Sequence, residues 1–135
     1  METTKYAYKT TVNLSYEEAI QRVTEELKRE GFGVLTEIDV KDTLKKKLDV
    51  DFRKYKILGA CNPLNAYKAL QAETDIGLML PCNVVVYESE GGPTVVAAVD
   101  PVASMRAVEN TGLEATALEV RSRLQRVIEA MDGNS

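Results

Sequence analysis

Residues 55–87 read YKILGACNPLNAYKALQAETDIGLMLPCNVVVY. Tyr55 to Cys61 has strand character, interrupted by Gly59. Asn62-Pro63 then starts a helix: Asn62 can accept from orphan N–H groups as N-cap, and Pro63 at N1 lacks the N–H that would go unpaired. Leu64, Tyr67, Ala69 and Leu70 are expected on its buried side, and it should end near Thr74. Gly77 and Pro81 punctuate the loop IGLMLP, and Asn83 to Glu88 is a strand rich in β-branched residues.

Beyond this stretch, Gly91-Gly92-Pro93 makes a turn and Thr94 to Val99 returns, which completes a hairpin. Its apolar runs VVVY and VVAAV suit inner strands. Asp100-Pro101 opens a short helical segment to about Arg106, and residues 107–112 connect onward. The spacing of Leu113, Ala117, Val120, Leu124, Val127 and Met131 predicts a long helix with one buried stripe. Glu119 and Arg123 form an i,i+4 pair on its exposed side.

On the N-terminal side, residues 5–14 read as a strand with Tyr6, Tyr8, Thr10, Val12 and Leu14 on one face. Ser15 and Glu18 fit a capping box. Tyr16, Ala19, Ile20, Val23 and Leu27 continue at helical spacing, and Gly31 suits a left-handed C′ position. Phe32 to Ile38 predicts a strand. Asp39 can cap a short helix with Val40, Leu44 and Leu48 four apart. Its lysines Lys41, Lys45, Lys46 and Lys47 could hold phosphate, but a solvated face diluted by Asp42, Asp49 and Asp51 explains them more simply.

The order fits neither strict βαβ alternation nor all-β spacing. It predicts an α+β class, with a mainly antiparallel sheet and helices packed on one face. The 135 residues suit a single domain over 1–135, with 132–135 as a frayed tail.

Composition excludes several chemistries. The chain has no histidine, which removes Ser-His-Asp and Cys-His nucleophile systems and most zinc, haem and copper sites. A net charge of −4 and no tryptophan argue against a nucleic-acid partner. No apolar run approaches a membrane span, and METTKYAYKTT has no signal-peptide core. A cytoplasmic location with reduced thiols and no membrane partner is the expectation.

ILGACNP, NAYKAL and IGLMLPCNVVVYE, together with Asp100-Pro101 and the amphipathic first helix, resemble domain-of-unknown-function family 302. The likeness covers nearly all of the chain, most specifically residues 55–101. It implies a compact α+β fold grouped with the TATA-binding-protein-like folds, in which a curved antiparallel sheet packs against helices. It also implies a homodimer. The family supplies no activity and no cofactor.

The chemistry left open centres on Cys61-Asn62 and Cys82-Asn83. The cysteines are 21 residues apart, one ending a strand and one preceding another. They can share a pocket as a redox couple, a soft-metal site or a single activated nucleophile, with Cys61 just before a helix start that favours thiolate. The plainer account makes both small buried hydrophobes. Two cysteines without histidine cannot complete a structural zinc site, so no metal is assigned. Asn62 and Asn83 could fix a ligand or merely satisfy backbone.

Three functions fit. The first is a dimeric small-molecule-binding module, with a pocket formed by Cys61, Asn62, Tyr67, Met79, Cys82 and Asn83. The second is a thiol-dependent enzyme or redox sensor using Cys61 and Cys82 as its catalytic pair. The third is a structural or assembly protein with no small-molecule site.

Overall fold

The computed structural model describes residues 1–133. Eleven segments carry the architecture. They are β1 (Glu2–Thr3), β2 (Ala7–Val12), α1 (Tyr16–Arg29), β3 (Gly33–Asp39), α2 (Val40–Leu48), β4 (Tyr55–Cys61), α3 (Pro63–Ala72), β5 (Cys82–Glu88), β6 (Thr94–Val99), α4 (Pro101–Met105) and α5 (Glu114–Asp132). The strands form one six-stranded sheet in the order β1-β2-β6-β5-β4-β3, antiparallel at every pairing. The α+β reading holds.

Local signals set most boundaries. Ser15 Oγ accepts from the Glu18 N–H at 3.1 Å, and the Glu18 carboxylate accepts from the Ser15 N–H, closing the expected capping box. Gly31 turns α1 off at φ 85°, and the Phe32 N–H donates back to Leu27 O at 2.9 Å. That is a left-handed helix stop, where glycine avoids the Cβ penalty. Asp39, Asn62 and Asp100 each accept from a backbone N–H of the helix that follows.

The sheet's inner face presents Tyr8, Leu58, Val84, Val86, Val96 and Ala98. These pack against Ala19, Val23 and Leu27 of α1 and Leu124, Val127 and Met131 of α5. The predicted α5 stripe is buried, with Ile128 added to it. Asp132, expected in a frayed tail, ends α5 and accepts a hydrogen bond from Thr10 Oγ1. The rest of that expected tail includes Asn134 and Ser135, which lie outside the described residues.

α2 buries none of its residues. Its lysines serve local partners: Lys45 reaches Asp49 at 3.0 Å, Lys46 reaches Asp42 at 2.9 Å, and Lys41 donates to Phe52 O. The connector at 107–112 is mostly wound into two short 3₁₀ turns, Arg106–Val108 and Thr111–Leu113.

Asp100 ties three elements together. Arg121 donates to both its carboxylate oxygens, at 3.1 and 2.9 Å, and Tyr8 Oη and the Val102 N–H donate as well. Burial pushes the Asp100 carboxyl up. The Arg121 guanidinium and the backbone donors outweigh that and hold it below its ordinary 3.8. A depressed folded pKa contributes stability that is full above the unfolded value and is lost as pH falls through the folded one. Asp100→Asn keeps a capping side chain and removes the charge. Denaturant unfolding should show a loss of roughly 2 kcal/mol at pH 7. The gap from wild type should narrow as pH drops below about 4.

Candidate functional site

Antiparallel pairing sets Ala60 of β4 directly opposite Cys82 of β5. Cys61 is the next residue along, so both cysteines stand at the same end of the sheet. A cavity of about 320 Å³ opens there, walled by the ends of β4 and β5, α3, the 77–81 loop and one side of α5. Cys61, Asn62 and Cys82 all line it. Of the other sequence candidates, Tyr67 is 61% exposed, Met79 is 39% exposed and Asn83 faces solvent, and none of the three lines the cavity.

The orientation of α3 explains the split. The Asn62 carboxamide oxygen accepts from both the backbone N–H and the side-chain amide of Asn65, at 3.2 and 3.1 Å. This draws Asn65 inward to near-complete burial, with Ala69 one turn on. The helix therefore packs through Asn65, Ala66 and Ala69. Leu64, Tyr67 and Leu70, expected on its buried side, are exposed. Leu70 still touches the cavity rim.

Asn62 also donates to Glu30 O at 3.5 Å, so both ends of its amide are engaged by protein. No charged side chain lines the cavity. Phe32, Leu35, Met105 and Val120 supply apolar walls that the sequence reading missed, alongside Leu80 of the IGLMLP segment. Asn65 carried a local signal, standing three residues after a capping asparagine. Met105 carried none, because tertiary packing alone delivers it.

The two thiols differ. Cys82 is buried, and burial, reinforced by Cys61, pushes its pKa up to about 11. It is therefore protonated at neutral pH. Cys61 is half-buried, and both are free cysteines. Among the described residues no group of three or more Cys, Asp or Glu side chains is arranged to hold a metal ion. No helix there is long and apolar enough to cross a membrane. A second cavity, of about 450 Å³ between α4 and α5, contains no cysteine but shares Met105 with the first.

The fold and this recess define a small α+β protein built on an open antiparallel sheet. Residues 8–131 match the family described as Domain of unknown function DUF302, and the chain belongs to that family. It is similar to the crystal structure of an uncharacterized conserved DUF302 protein from Bacillus stearothermophilus. The two share 31% identity at a TM-score of 0.87, over 95% of this chain and 99% of that one. No curated protein matches the chain.

Iodoacetamide should modify Cys61 first in the native protein. Cys82 should react slowly, with a rate that rises only toward pH 11 rather than near the free-thiol value of about 8.5. Peptide mass spectrometry over a pH series reads both sites. Equal rates at pH 8 would contradict the burial of Cys82.

Proposed function

We propose that this protein is a cytoplasmic, dimeric binding module whose site is the cavity bearing Cys61 and Cys82. The observation that carries the reading is the cavity's lining, which is apolar, without charge, and fitted with asparagine amides already engaged by protein. Such a wall offers nothing to neutralise a carboxylate or phosphate. It fits a small neutral, largely apolar molecule. The protonated Cys82 favours a packing role over a nucleophilic one.

The dimer is supported by the sheet's outer face. Ile57, Val85 and Ala97 stand side by side across β4, β5 and β6, and Tyr55 stacks on Tyr87 with ring centroids 5.2 Å apart. Inner strands of an antiparallel sheet with one wet face alternate apolar and polar residues. These strands are apolar on both faces, as covered strands are. A second copy seated there would leave the cavity end of the sheet open. Both thiols are free, which suits a reducing compartment.

Two measurements test this. Backbone amide shifts on titration with benzene or indole should move at residues 60–62, 65–70 and 116–120, and Ala66→Phe, which fills the cavity, should abolish them. Shifts that persist in Ala66→Phe, or none in wild type, would reject the site. Light scattering after size exclusion should give a dimer for wild type and a monomer for Val85→Lys. A monomeric wild type would remove the dimer and leave the cavity reading standing.

A further inference from the structure

The two cavities differ in their walls. The chamber of about 320 Å³ that bears the cysteines has no charged side chain in its lining. The cavity of about 450 Å³ between α4 and α5 carries Arg106, Glu109 and Glu114. None of these three makes a side-chain hydrogen bond or ion pair within the described residues. Among the described residues, Met105 alone lines both spaces. It is 7% exposed, and it packs in one cluster with Ala69 of the first wall and with Leu113 and Ala117 of the second. α5 completes the division: Thr116 and Val120 line the first cavity, Ala117 and Leu118 the second.

Packed interiors leave few voids larger than a water molecule, and that tightness holds a core side chain in place. Met105 instead has open space on two sides. Its side chain is unbranched, with three rotatable bonds, so it has both the room and the freedom to change rotamer.

We propose that Met105 is a movable partition between the two cavities and that it admits an elongated ligand, a neutral straight alkyl chain ending in a hydroxyl. The tail lies in the uncharged chamber, and the chain passes Met105 and brings its hydroxyl to the second cavity. A hydroxyl both donates and accepts, so it finds a partner on the guanidinium or on either carboxylate. A carboxylate end would be repelled by two glutamates, and an ammonium end by the arginine. This inference rests on the cysteine chamber being the site for a neutral, apolar molecule. It adds the length of that molecule and its polar end, and it makes Met105 the residue that sets how long a chain is admitted.

The test follows backbone amide shifts while the full chain is titrated with straight-chain butanol or octanol. Both alcohols should move residues 60–62, 65 and 66. Octanol alone should also move 106, 109–111 and 113–114. Each added methylene that reaches the interior should tighten binding by about fourfold. Met105→Ile nearly conserves volume but is branched at Cβ and stiff at χ1. It should bind butanol as the wild type does. With octanol it should lose the second set of shifts, and affinity should fall by at least about tenfold, as expected for roughly two methylenes left outside. Octanol shifts confined to one set in the wild type, or equal octanol affinity in Met105→Ile, would overturn the proposal. The wild-type comparison needs no variant and stands even if Met105→Ile fails to fold. Benzene and butanol binding without the second set of octanol shifts would sink the partition alone. Absence of all binding would sink the cavity reading as well.

Discussion

The register that sets Ala60 against Cys82 is the constraint on which the site depends. A one-residue slip between β4 and β5 would turn every side chain of one strand to the opposite face. Leu58 of β4 or Val84 of β5 would then leave the core. Gly59 helps hold the pairing in place. A Cβ there would lie 2.1 Å from Thr36 Oγ1 and 2.7 Å from Pro81 Cγ. Thr36 and Pro81 thus close over the bare backbone from two sides. Pro81 in turn brings the 77–81 loop down as one wall of the cavity.

Two polar clusters fix the elements around that register. Asp100, with Arg121 and Tyr8, fastens α5 to the ends of β2 and β6. Asn62, with Asn65 and Glu30 O, fastens α3 to the end of α1. In each case the buried polar atoms find partners within the protein, as buried groups must. The consequence for the site is an apolar interior: the amides nearest the thiols are occupied elsewhere.

Much of this was legible from local chemistry. The caps at Ser15, Asp39, Asn62 and Asp100 depend on residues three or fewer positions away, so the chain announces them directly. The α5 stripe was legible because a long helix against a sheet repeats the same demand every turn. α3 was not. It is short, rich in alanine, and rotated by an amide contact between Asn62 and Asn65 that apolar spacing does not encode. Tyr67 therefore points to solvent, although its size and position suited a core. Cys61, Asn62 and Cys82 were identified from a repeated dipeptide. Met105, Phe32 and Val120 come from three distant parts of the chain, and no spacing rule links them.

The sheet's margins have a consequence for how this protein can associate. β1 is two residues long, and β3 carries a register irregularity between Val34 and Thr36 with Glu37 and Asp39 beyond it. The valine-rich hairpin, the segment most able to template fibrils, occupies the two middle places in the strand order. A brief edge and a kinked, acidic edge are poor docking rails for a foreign strand. Assembly by extending the ladder is thereby discouraged.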